Sequence, residues 1–169
     1  ISEIIPMPPG SFSSNFAGSF SGVSLAIANN IPYVAVSDGQ DLRLFKRLVT
    51  GWTMISQITL NALVPMIDAG FLAFDNNFNA HLIYGEWAGP GILSFTLNEA
   101  IISPNGILLG SDVITTLNLS PFDPFPQPRA SIAIDSSNQV LVSYLAGDSL
   151  DLYFTRFLPT TGSLATPQL

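Results

Sequence analysis

SIAIDSSNQVLVSYL, residues 131–145, is an apolar run, a small polar turn and a second apolar run. The chain writes nearly the same phrase at 71–85, FLAFDNNFNAHLIYG, and at 24–39, SLAIANNIPYVAVSDG. Aligned on the first run, LAI (25–27), LAF (72–74) and IAI (132–134) coincide, each with a central alanine. Turn residues follow: Asn29-Asn30, Asn76-Asn77 and Ser136-Ser137, with Asp75 matching Asp135. The second run reads YVAV, HLIY and LVSY, and Tyr84 matches Tyr144. Runs rich in Val, Ile, Leu, Phe and Tyr, bounded by Gly, Asn, Asp, Ser or Pro, are strands, and no sustained helical period competes. Asn tolerates positive φ, so the paired turn residues predict tight two-residue hairpins. The central alanines fit a first strand crowded on both faces, where a small side chain lets neighbouring sheets approach.

A third segment follows each phrase: DLRLFKR (41–47), GILSFTL (91–97) and SLDLYFTRF (149–157). A fourth is plain in the first copy, GWTMISQITL (51–60), weaker in the second, GILLGSDVITTL (106–117), and faint in the third, GSLATPQL. Ala26 and Ala73 lie 47 residues apart, Ala73 and Ala133 60 apart, the surplus being the Pro-rich insert LSPFDPFPQPR at 119–129. The sequence therefore predicts an all-β fold of three four-stranded antiparallel blade-like repeats. They cover 22–68, 69–128 and 129–169, after an N-terminal strand and linker at 1–21. A β-sandwich is the alternative arrangement.

Four antiparallel strands per unit of about 40–50 residues is the period of a propeller blade. The residues LAI…YVAV…DLRL and IAIDSSNQVLVSY…LDLYF resemble the blades of bacterial extracellular β-propeller repeat proteins, over about residues 22–169. The sialidase-type Asp box, Ser-x-Asp-x-Gly-x-Thr-Trp, does not occur in order; SDGQDLRLFKRLVTGW has its pieces at other spacings. The Gly-His…Trp-Asp signature is also absent. The resemblance implies a propeller-like architecture. Propellers hold about four to eight blades, so three would be closed by oligomerisation or by other blades of a longer chain. Open apolar edges invite such pairing. The opening ISEIIPMPPGSF reads as a short strand ended by prolines. It is a frayed terminus, the missing outer strand of the last blade, or a strand for a neighbouring chain.

Composition narrows the function. The chain has 169 residues, is 47% hydrophobic and only 10% charged, and carries a formal net charge of −7. Five basic residues against twelve acidic ones argue against nucleic acid and anionic membranes as partners. Three of the five stand in RLFKR (43–47), read as a solvated strand face. With no cysteine, thiol catalysis, disulfides and thiolate zinc sites are excluded. Residues 48–67 carry no charge but are broken by Gly, Gln, Asn and Pro, so they read as strand and loop, not as a membrane span. Low lysine with abundant Ser, Thr and Asn suits a secreted or cell-surface protein. The start at Ile1, without a basic and then apolar leader, fits a processed or excerpted chain.

In a blade arrangement the second-to-third-strand loops share one end with the blade-to-blade connections. That end would gather Asp38 and Asp41, Glu86 beside Trp87, Asp148, and Asp123 with Arg129. An aromatic plate beside a carboxylate suits a glycan or a Ca²⁺-like cation; otherwise these are polar hairpin tips. No cofactor is expected beyond such a cation. His81, the single histidine, aligns with Tyr33 and Leu141 and reads as a packed strand residue, with no Gly-x-Ser-x-Gly elbow and no Asp placed by the sequence to orient it. DNNFN (75–79) faintly resembles a calcium loop but lacks its Gly and closing Glu, and reads as a turn. The leading expectation is a non-enzymatic binding or assembly module. The alternatives are a sialidase-like carbohydrate-active hydrolase, or a fragment of one, using paired carboxylates, and a filament or coat subunit joined by strand exchange.

Overall fold

The computed structural model describes residue 5 and residues 22–37, 41–59, 71–87, 94–118, 130–146 and 151–157. These residues form eleven strands: β1 (Val23–Ala28), β2 (Ile31–Ser37), β3 (Asp41–Leu48), β4 (Gly51–Thr59), β5 (Phe71–Phe74), β6 (Ala80–Trp87), β7 (Ser94–Ile102), β8 (Leu108–Asn118), β9 (Ala130–Ile134), β10 (Val140–Ala146) and β11 (Asp151–Phe157). They contain no helix, and so none long and apolar enough to cross a membrane. Each repeat fills its own antiparallel sheet: β1-β2-β3-β4 in sheet I, β5-β6-β7-β8 in sheet II, β9-β10-β11 in sheet III. The strands thus divide among three sheets, where a sandwich would have drawn them into two. The fourth segment expected of the third repeat lies outside the described residues, as does the N-terminal segment apart from Ile5.

Strand alternation sorts each first strand into two faces. Its central alanine points to one face and the two large residues flanking it to the other. Pairing carries the division across the sheets: Ala26↔Tyr33 against Leu25↔Val34, Ala73↔His81 against Leu72↔Leu82, Ala133↔Leu141 against Ile132↔Val142. The large face of sheet II packs on the alanine face of sheet I. Leu72, Phe74, Leu82 and Tyr84 join Ala26, Tyr33, Leu42 and Leu44 in one cluster, and the rings of Tyr33 and Phe74 meet at 4.7 Å. The large face of sheet III packs in the same sense on sheet II, with Ile132, Val140, Val142 and Tyr144 against Ile83, Leu97 and Ile114. The first strands stand side by side, β1 against β5 and β5 against β9. The alanines are what allow that approach.

Polar contacts fasten the same seams. The Leu72 N–H donates to Ser24 Oγ at 3.2 Å between sheets I and II. Asn76 donates from its backbone to Asn138 Oδ1 at 2.8 Å and from its side chain to the Ser136 carbonyl at 2.9 Å, between sheets II and III.

The turns divide into two kinds. Asn29 (φ 49°) and Asn30 (φ 60°) form the expected two-residue turn, with both residues left-handed. Asn76-Asn77 and Ser136-Ser137 do not. Their loops run over 75–79 and 135–139, and the left-handed residue is Phe78 or Asn138, both at φ 62°. The reason is the aspartate. Asp75 Oδ1 accepts from the Asn77 and Asn79 N–H groups at 2.9 and 2.7 Å, and Asp135 Oδ1 from Ser137 and Gln139 at 2.8 and 3.0 Å. A carboxylate holding two N–H groups favours the longer turn; Ala28, in the first copy, offers none. Phenylalanine is strained in the left-handed region, whereas asparagine is tolerated there. Phe78→Asn should therefore raise stability by about 0.5–1 kcal/mol, seen as a higher urea midpoint. A lower midpoint would mean that burial of the ring outweighs the strain.

Candidate functional site

Of the residues expected at the loop end, Asp38, Asp123, Arg129 and Asp148 lie outside the described residues, and Trp87 is described in its backbone only. Asp41 opens β3 and is engaged within its own sheet. It accepts from Arg43 Nη2 at 2.6 Å and from Thr59 Oγ1 at 2.7 Å, because alternation puts Asp41 and Arg43 on one face and pairing sets Thr59 opposite. The reading of RLFKR as a solvated face is corrected by the same geometry. Arg43 is buried, and its Nε also donates to Gln57 Oε1 at 3.4 Å. Phe45 is buried in a cluster with Val34, Val36, Ile5 and Trp52. The Lys46 ammonium lies 5.6 Å from the Tyr33 ring centroid, within cation–π range. Arg47 donates to the Leu48 carbonyl.

Glu86 has more chemical latitude. It stands near the end of β6 on the same face as Tyr84, and Tyr84 pairs with Asn98 of β7. Asn98 Nδ2 donates to Glu86 Oε2 at 3.3 Å. Burial pushes the Glu86 carboxyl above the ordinary glutamate range, and the Asn98 hydrogen bond offsets only part of that. Burial first, and the neighbouring Glu86 charge second, push the Tyr84 phenol up to about 12.

The sign for stability follows from the raised value. Folding favours the protonated carboxyl, so the group costs nothing at low pH, where both states are protonated. Stability is lost as pH rises from the unfolded value, roughly 4.3, through the raised folded one. Glu86→Gln should remove this loss. At neutral pH it should stabilise by less than about 1 kcal/mol, since solvent screens a partly exposed group, and the gain should shrink below the glutamate range. Urea unfolding at several pH values checks it; a gain independent of pH would contradict the assignment to this carboxyl.

A second polar cluster was not foreseen. His81 is buried, as expected of a packed strand residue, and a glutamate meets it. His81 Nδ1 and Glu99 Oε1 are 2.7 Å apart, with the residues 1% and 0% exposed. Pairing of His81 with Ile101 and Ile83 with Glu99 makes the two diagonal neighbours on the alanine face of sheet II. Asp75 Oδ2 stands 3.7 Å from His81 Nε2, beyond hydrogen-bond reach, and accepts instead from Asn79 Nδ2 at 2.8 Å. Among the described residues His81 Nε2 and Glu99 Oε2 have no hydrogen-bond partner. The one sequence signal was a lone glutamate inside the apolar run FTLNEAII (95–102). The register that brings it to His81 is a property of the sheet. Both side chains are closed to solvent in this structure.

In the DNNFN turn the Asp75 carboxylate is engaged by the turn's own donors. Asp75 receives N–H donors rather than standing open toward a cation. Among the described residues no group of three or more His, Asp or Glu side chains is arranged to hold a metal ion. No family model matches the sequence, and no curated protein matches it.

Proposed function

We propose that this chain is a non-enzymatic binding or assembly module of propeller type, displayed on a secreted or cell-surface protein. One observation supports the reading most. The large face that sheets II and III each bury against a neighbour is bare along β1 of sheet I. Val23, Leu25 and Ile27 are 64%, 65% and 68% exposed, whereas Leu72, the counterpart of Leu25, is 7% exposed. A contiguous exposed apolar strip on a strand is a contact surface. Native mass by light scattering, beside intact mass by mass spectrometry, tests it. Association through this strip should appear at micromolar chain concentration. A strict monomer whose mass and solubility are unchanged by Leu25→Glu would count against the assembly reading.

A second reading places a glycan at the loop end, used as a binding module or by a sialidase-like hydrolase. It is favoured by the raised Glu86 carboxyl, since a glycosidic general acid must hold its proton near neutral pH. Turnover of fluorogenic glycosides that Glu86→Gln abolishes would favour the enzyme. Glycan binding without turnover would favour the module.

A further inference from the structure

We propose that Phe78 and the asparagine-bearing turns beside it form a binding site for a neutral sugar ring. The site lies at the end of the sheets opposite Asp41 and Glu86, so it goes beyond the loop-end reading above. Among the described residues four other than glycine take positive φ: Asn29, Asn30, Asn138 and Phe78. Asparagine tolerates the left-handed region, and Phe78 is the exception. Its counterpart is Asn138, at the same φ of 62° and with the same N–H bond to the turn's aspartate carbonyl at 3.0 Å. The turn itself therefore does not call for an aromatic ring. Nor does the core, since Phe78 is 43% exposed. A lone exposed phenylalanine is ordinary on a protein surface. One that also strains its backbone, with little burial in return, points to contact with something outside the chain.

The surroundings set the chemistry of the ligand. The bonds from Asn76 to Asn138 and Ser136 join the turns at 75–79 and 135–139 into one surface. Leu72 meets Ser24 where β5 and β1 begin, and Phe74 meets Tyr33 close to the Asn29-Asn30 turn. The two strands thus run the same way, and that turn reaches the same end. Asn30, Asn77 and Ser137 are exposed there, and an amide or a hydroxyl offers both a donor and an acceptor. The carboxylates nearby are engaged. Asp75 accepts from Asn77 and Asn79, and Asp135 accepts from Ser137 and Gln139 and lies 3.8 Å from Arg156 Nη2. Such a surface suits an uncharged ligand with an apolar face and a hydroxylated rim. A pyranose has both: its C–H face stacks on the negative face of an aromatic ring, and its vicinal hydroxyls match the amides.

The test titrates the full chain by calorimetry with neutral oligosaccharides of glucose, galactose, mannose and N-acetylglucosamine, each up to about 1 mM. Wild type should bind at least one of them. Phe78→Asn should weaken that binding by about tenfold or more, with an unchanged far-UV circular dichroism spectrum and a raised urea midpoint. Loss of ligand together with a gain of stability is what a merely structural phenylalanine would not give. Phe78→Tyr, which keeps the aromatic face, should bind as wild type does. Asn77→Ala should weaken binding by about two- to tenfold, and Glu86→Gln should leave it unchanged. A wild-type chain that binds none of these sugars would overturn the proposal, and so would one that binds only charged glycans. Binding that Glu86→Gln abolishes and Phe78→Asn leaves intact would also overturn it, and would place the glycan at the loop end instead.

Discussion

His81→Leu should destabilise the protein by about 3–5 kcal/mol, the cost of leaving a buried charge without its partner. Glu99 is fully buried, its Oε1 meets His81 Nδ1 at 2.7 Å, and among the described residues its Oε2 lacks a hydrogen bond. Removing the imidazole leaves the carboxylate between Leu97 and Ile101 of its own strand and Ile83 of β6, with Asp112 of β8, which adds no donor, as its other cross-strand neighbour. Urea unfolding reads the loss. The double variant His81→Leu/Glu99→Leu should recover most of it, because replacing both members of a buried pair by apolar groups is often neutral. The cycle would then give a coupling of about 1–3 kcal/mol. If the single change cost no more than the double one, the pair would not be coupled. Should His81→Leu fail to fold, Glu99→Gln, which keeps an acceptor for Nδ1, provides the milder comparison.

Gly106→Ala should cost about 3 kcal/mol or more, for two reasons that add. Gly106 sits at φ +84° in the β7–β8 turn, a conformation that residues with a Cβ avoid. An added Cβ would also fall 1.8 Å from the backbone oxygen of Ile55 in β4, and a strand carbonyl cannot swing aside as a side-chain tip can. The turn is pinned in place by its own bonds, Gly106 N–H to the Ser103 carbonyl at 2.9 Å and Ser103 N–H to the Ile107 carbonyl at 2.8 Å. The clash therefore has to be relieved by moving sheet II off sheet I. For a chain of this size the thermal midpoint should fall by about 10 °C. Gly110→Ala, four residues on in β8, meets nothing within 4 Å and should change stability by less than about 0.5 kcal/mol. Equal effects at the two glycines would remove the close approach as the cause.

The sequence by itself determined the strands and their grouping. Period-two alternation, β-branched and aromatic runs and turn residues are local signals, and they located ten of the eleven strands at the written segments; β7 was expected at 91–97 and runs Ser94–Ile102. The large–Ala–large pattern of the first strands likewise announced close sheet packing, because side-chain volume is a property of the residue. Turn length was less legible. Ser-Ser and Asn-Asn looked like two-residue turns until the carboxylates of Asp135 and Asp75 claimed the N–H groups beyond them.

Tertiary structure alone decided what each charged residue does. RLFKR reads as a solvated face because charge is visible in sequence and the covering chain is not. Arg43 is buried because Asp41 and Gln57 arrive beside it from neighbouring register positions. His81 finds Glu99 eighteen residues away for the same reason, since a diagonal contact exists only once two strands are in register. Of the site, Glu86 was legible as a carboxylate at a loop end, but its raised proton affinity was not, because that comes from burial, which the Asn98 hydrogen bond only partly offsets. The exposure of Leu25 against the burial of Leu72 is of the same kind. The two residues occupy identical places in the repeat, and only the presence or absence of a neighbouring sheet separates them.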